Sequence, residues 1–182
     1  MTTLLIDRID SPVGEVLLIS DGRALWALDF DDYEDRMLKL MGPRADATSF
    51  READDPQGFS SRVRAYFEGR FDALEGIPVE TGGTPFQREV WLALRAIKPG
   101  ETESYGALAK RVGRPGASRA VGRTNGLNPV AIVLPCHRVI GANGSLTGYG
   151  GGLDRKRWLL AHEGAWQDDD EARAAPLPLF DS

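Results

Sequence analysis

One residue of this chain can act as a strong nucleophile: Cys136, the single cysteine among 182 residues. A thiol attacks as its thiolate, and a neighbouring cation or acid–base partner favours that form. His137 and Arg138 follow directly in the run Pro135-Cys136-His137-Arg138-Val139. Neighbours on an extended chain point to opposite sides, so adjacency does not guarantee contact between Cys136 and His137. A bridging water could carry the proton between them. Glu163, at the end of the last helical stretch, could orient the imidazole as the third member of a relay. The ordinary alternative is a small buried hydrophobe that happens to precede a histidine. A lone cysteine excludes an internal disulfide and a cysteine-rich zinc centre. Its reduced state fits a cytoplasmic compartment.

The elements that would position these residues are marked in the second half of the chain. Thr84 is a good N-cap, Pro85 suits the first helical position, and Gln87 completes a capping box. Phe86, Val90, Trp91, Leu94 and Ile97 form the apolar stripe of that helix, which Pro99-Gly100 ends. Ser104 can cap a second helix that runs to Val112 and stops at Gly113. A third short helix is expected from Ala117 to about Thr124, with Gly126 as its stop. Two short helices joined by a tight glycine-containing turn read as a helix-turn-helix, although many helical cores contain such a pair. Residues 130–134 form an apolar β-type run bounded by prolines, and residues 153–162 a final helix with Trp158 and Leu159 among its apolar positions.

The first third predicts a β meander over 4–9, 16–19 and 24–30, with turn signals at Ser11-Pro12 and Asp21-Gly22. Helices are expected over 33–41 and 59–67; in the second, Phe59, Val63, Tyr66 and Phe67 share one face. The polar span 42–58 reads as a loop. Residues 166–182, with four consecutive acids and two prolines, read as a disordered tail. No apolar run is long enough for a membrane span, and MTTLLIDRID lacks the features of a secretory signal.

Charge divides the chain in the same places. Residues 1–83 hold 9 basic against 17 acidic side chains, residues 84–164 hold 12 against 5, and residues 165–182 hold 1 against 5. A basic module can neutralise phosphates within a chain whose net charge is −5. Charge alone equally allows an ordinary solvated surface.

The wider pattern decides between these readings. TPFQREVW, ETESYGALA, ASRAVG, NPVAIVLPCHRVIG and GSLTGYGGGLDRKRWLLAHEG, in this order and spacing, span 84–164. This stretch resembles the O6-alkylguanine-DNA alkyltransferase family (methylated-DNA–protein-cysteine methyltransferases). The resemblance implies an α/β N-terminal domain of ribonuclease-H-like topology over 1–83. It also implies a mainly α, winged-helix-like domain with a helix-turn-helix over 84–165. It implies stoichiometric transfer of an alkyl group from O6-alkylguanine, and from O4-alkylthymine, to Cys136. The base would be flipped out of double-stranded DNA gripped through its minor groove. No cofactor or metal is implied, and a monomer would suffice.

Site residues follow from the same resemblance. Arg119 matches the arginine that fills the gap in the base stack, among the small residues Ala117, Ser118, Ala120, Val121 and Gly122. Tyr105 matches a tyrosine that turns out the nucleotide and donates a proton or hydrogen bond to the ring. Asn128 matches an asparagine tying the turn before the cysteine strand. Arg138 is assigned to the DNA and substrate surface. The backbone carbonyls of Cys136 and Val139 would face the base's amino group. Tyr149, Gly150 and Gly151 would line the base pocket within the loop 145–152. The zinc ligands that some relatives carry in the N-terminal domain are missing from the sequence. A binding-only relative and a cysteine hydrolase using Cys136, His137 and Glu163 are the rival functions.

Overall fold

The computed structural model describes residues 2–46 and 48–166, so the acidic segment lies outside it except for Trp166. The chain divides into two compact units. The first comprises residues 1–84 with the returning segment 128–133, and the second the remainder.

In the first unit, β1 (Thr2–Ile9), β2 (Val16–Ser20) and β3 (Leu25–Phe30) pair antiparallel in sequence order, the expected meander. All of β2 is buried, which is why VLLIS reads as a continuous apolar run without alternation. Helix α1 (Glu34–Met41) buries Met37 and Met41 against Leu4, Leu17, Ile19 and Ala27. The span 42–58 is not simply a loop. It contains a helical turn, α2 (Pro43–Asp46), and a strand, β4 (Thr48–Glu52), which pairs parallel with β1 at the edge of the sheet. TSFRE is mostly exposed, so it carries no apolar period and is placed mainly by its backbone pairing with β1. Helix α3 (Phe59–Phe67) buries Phe59, Val63 and Tyr66, and Phe67 packs edge-on to Tyr66 at 5.3 Å.

The segment 128–133 joins this unit through β3. Leu28 donates its N–H to the Pro129 carbonyl (3.0 Å) and accepts from Ala131 N (2.9 Å). The strand expected over 130–134 reduces to one bridge, Leu28 to Val130, followed by a turn. Ile132 there has φ 71°, a left-handed conformation that ends any strand.

The second unit opens with α4 (Pro85–Ala93), whose Val90 and Trp91 are buried together with Leu94 and Ile97 beyond it. A two-residue strand, β5 (Glu103–Ser104), leads into α5 (Tyr105–Arg111). The Ser104 hydroxyl caps α5 by accepting from Ala107 N at 3.1 Å. Residues 112–117 connect to α6 (Ser118–Gly126), which starts one residue later than its sequence suggested. Trp91 Nε1 donates to the Thr124 carbonyl at 2.8 Å and so ties α6 to α4. A 3-10 turn, Cys136–Arg138, precedes β6 (Val139–Ile140), which pairs parallel with β5. After an irregular loop, α7 (Leu153–His162) buries Arg155, Lys156, Leu159 and Leu160. Trp158, one of the apolar positions of this helix, is only half-buried and stacks on His162 at 4.7 Å. No helix among the described residues is long and apolar enough to cross a membrane.

Candidate functional site

Cys136 lies in the 3-10 turn and not in a strand, with its N–H bonded to the Leu134 carbonyl at 2.8 Å. Pro135 stops the backbone from continuing as a ladder and begins this turn. The side chain is 4% exposed. The turn lets His137 and Arg138 converge on a single carboxylate. His137 Nε2 lies 2.8 Å from Glu163 Oε2, while Arg138 donates through Nε to Oε1 (2.8 Å) and through Nη2 to Oε2 (2.9 Å). Arg138 Nη1 also donates to the Ile97 carbonyl at 2.6 Å. Glu163 caps the C-terminus of α7, so this helix, the Cys136–Arg138 turn and the segment that follows α4 meet at one ion pair. Arg138 is therefore no DNA-facing side chain, contrary to its sequence assignment. It is buried and consumed by an internal anchor.

Burial sets the charge states. Desolvation pushes the His137 pKa below its ordinary 6.5, and the Glu163 carboxylate only partly offsets it, so the ring is neutral at pH 7. Burial also opposes ionisation of Glu163, but the His137 and Arg138 partners prevail and hold the carboxyl well below its usual range. An ionised Glu163 takes the Nε2 proton of a neutral imidazole, which leaves Nδ1 as the basic nitrogen. Nδ1 is buried and has no hydrogen-bond partner among the described residues.

Two buried polar side chains escaped the sequence reading. Lys156 is fully buried, and its ammonium donates to the Val139 carbonyl at 2.6 Å and the Thr147 carbonyl at 2.9 Å. Burial lowers its pKa from 10.5 to about 8, opposed by the charge of Cys136. Spacing was the available signal, since Lys156 shares a helical face with Leu159, Leu160 and Glu163. Asn125, on the inner face of α6, donates Nδ2 to the Cys136 carbonyl at 3.1 Å.

The remaining candidates surround this centre unequally. Tyr105 opens α5, and its hydroxyl accepts from Thr147 Oγ1 at 3.0 Å. A Cβ at Gly122 would stand 3.5 Å from the Tyr105 ring, an ordinary van der Waals contact, so α6 packs directly against that ring. Val121 is buried, whereas Arg119 and Ala120 are exposed and Ala117, Ser118 and Gly122 half-buried. Tyr149 and Gly150 are half-buried in the loop, and the Gly151 carbonyl accepts from Arg155 Nη1 at 3.3 Å. The Val139 carbonyl already accepts from the Lys156 ammonium. Asn128 falls in the first unit, where its Oδ1 accepts from Val130 N at 2.9 Å and ties the turn at the start of 128–133. No group of side chains among the described residues is arranged to hold a metal ion.

An α/β unit followed by a helical unit, the latter carrying a buried thiol beside a carboxylate–imidazole pair, defines a two-domain protein with a candidate thiol nucleophile. Residues 4–81 match the ribonuclease-like domain of 6-O-methylguanine DNA methyltransferase, and residues 85–165 match the DNA-binding domain of the same family. A methylated-DNA–protein-cysteine methyltransferase of Shigella flexneri is 48% identical over 167 residues, covering 90% of this chain and 98% of the relative. The crystal structure of the Mycobacterium tuberculosis O6-methylguanine methyltransferase superposes with TM-score 0.73 at 41% identity, covering 93% of this chain and 98% of that one. The same organism's protein in complex with DNA covers 90% of this chain and 93% of its own, also with TM-score 0.73 and 41% identity. The chain belongs to the methylated-DNA–protein-cysteine methyltransferase family.

Proposed function

We propose that this chain repairs alkylated DNA by moving an alkyl group from O6 of guanine onto Sγ of Cys136, once per protein molecule. The observation that carries the reading is the buried Glu163–His137 pair, with Nδ1 of a neutral imidazole left as base in the residue after the thiol. His137 takes the Cys136 proton through a water. The thiolate attacks the alkyl carbon in line, the carbon–O6 bond breaks, and its electron pair passes to the guanine ring as the ring gains a proton. Tyr105 supplies that proton or a hydrogen bond to the leaving ring. The product is a thioether, and the sequence offers no second thiol to accept the group. Transfer is therefore stoichiometric, and a fresh chain is needed for each lesion.

Reaching O6 requires the base to leave the stack. The pair α5 and α6 serves as a helix-turn-helix of winged-helix type, pressed against the minor groove by its small residues 117, 118, 120 and 122. Arg119 fills the gap left in the duplex. Tyr149, Gly150 and Gly151 wall the pocket, and the Cys136 and Val139 carbonyls face the base. Asn128 holds the turn that precedes Cys136. The protein acts as a monomer in the cytoplasm, with O4-alkylthymine as its second substrate. Mass spectrometry after incubation with duplex DNA containing O6-methylguanine tests this directly. Transfer adds one methyl group to the protein. An unchanged protein on intact lesion DNA would mean binding alone, and turnover of an ester or amide would mean a hydrolase.

A further inference from the structure

Thr147 has no task in the reaction above, yet both of its polar groups are engaged beside the reacting centre. Its hydroxyl donates to the Tyr105 hydroxyl at 3.0 Å. Its carbonyl accepts from the Lys156 ammonium at 2.9 Å, and the same ammonium donates to the Val139 carbonyl at 2.6 Å. Thr147 is exposed and lies in no helix or strand, like residues 142–145 before it. A hydroxyl in such a loop ordinarily bonds to water or backbone. Here a fully buried lysine on α7 fixes the main chain of residue 147, so the side chain is held at the phenol. Other elements fix the rest of Tyr105. It opens α5 directly after β5, which pairs with β6 at Val139, and α6 packs on its ring at Gly122.

A phenol hydroxyl has one proton to donate and two lone pairs with which to accept. Thr147 occupies an accepting side, so the tyrosine's own O–H is left for another acceptor. In the proposed reaction that acceptor is the guanine ring, which gains negative charge as the carbon–O6 bond breaks. Where the proton moves outright, the phenol O–H bond breaks, a ring N–H bond forms, and the pair left on the phenol oxygen is met by the Thr147 hydroxyl. We infer that Thr147 is a positioning residue for alkyl transfer, whose hydroxyl aims the Tyr105 proton at the departing guanine and supports the charge that gathers on the phenol oxygen; this rests on the function proposed above.

The test measures single-turnover rates of the full chain, in saturating excess, on duplex DNA containing O6-methylguanine. Thr147→Val keeps the size and branching of the side chain but removes the donor. It should slow transfer about tenfold, the worth of one hydrogen bond to a group that gains charge. Thr147→Ser keeps the hydroxyl and should stay close to the wild-type rate. Tyr105→Phe should itself be slow, and adding Thr147→Val to it should cost nothing further, because the hydroxyl has lost the group it acts through. A loop that had merely lost its shape would slow the Tyr105→Phe background as much as wild type. Thr147→Ala is the second hydroxyl-free variant should Thr147→Val not fold. A wild-type or faster rate in the hydroxyl-free variant, or a Thr147→Ser rate as low as that of Thr147→Val, overturns the inference. So does a full loss that persists beside Tyr105→Phe, or a Tyr105→Phe variant as fast as wild type. Failure of wild type to demethylate guanine at all would instead overturn the function on which it rests.

Discussion

His137, Arg138 and Glu163 form one unit at the residue scale, and their effects should combine as a unit. Glu163→Gln and His137→Ala should each slow alkylation and move its pH dependence to higher pH, because less thiolate forms at neutrality. The double variant should be much less impaired than the product of the two single effects. A pH–rate profile for each checks this, and wild-type rates in His137→Ala across neutral pH would remove the relay from the mechanism. The same groups set stability. The folded pKa of Glu163 is depressed, so its contribution is present above its unfolded value and is lost as pH falls through the folded one. His137 is also depressed, so the unfolded chain binds more protons below about pH 6.5 and acid again favours unfolding. Lys156 acts at the other end. Between about 8 and 10.5 the unfolded chain holds a proton that the folded chain has released, so stability rises with pH across that window. Urea unfolding against pH should show both slopes. Glu163→Gln should cost about 3 kcal/mol at pH 7, since it leaves Arg138 buried without its anion, and Lys156→Met should remove the alkaline rise.

At the scale of elements, α6 divides its labour between an exposed face bearing Arg119 and a buried face bearing Val121, Thr124 and Asn125. Arg119→Ala should slow repair of duplex DNA by about tenfold or more, because the arginine offsets an unstacking cost of a few kcal/mol. Reaction with free O6-benzylguanine, which needs no flipping, should be little affected. Equal losses on both substrates would contradict the role. What the sequence revealed here followed apolar burial. α3, α4 and α7, and the meander of β1 to β3, were legible because their inward faces repeat with helical or strand period. β4 was not, since an exposed polar edge strand has no such period and depends on β1, more than 40 residues away, for its pairing. Residues 130–134 misled for the opposite reason: an apolar run with strand composition is bent by Ile132 into a turn. Cys136, His137 and Glu163 were legible from residue chemistry and motif. The burial of Arg138, Lys156 and Asn125 was not, because a charged or polar side chain turned inward looks in sequence like one on the surface.

Across the whole molecule, chemistry and positive charge are concentrated in the same half of the sequence. Residues 84–164 hold the basic excess, the thiol and its partners, while the segments before and after are acidic. DNA affinity should therefore fall steeply with added salt even though the chain carries a net charge of −5. The central claim is that Cys136 itself becomes the alkyl acceptor. The direct measurement is peptide-level mass spectrometry of wild type and Cys136→Ser after incubation with excess duplex DNA containing O6-methylguanine. Wild type should carry one methyl group per chain, on the peptide containing Cys136, with no further uptake at longer times. The serine variant should carry none while still binding the lesion duplex, since its hydroxyl is close in size but far less nucleophilic. Methylation of the serine variant, or a methyl group on any other residue of wild type, would contradict the account.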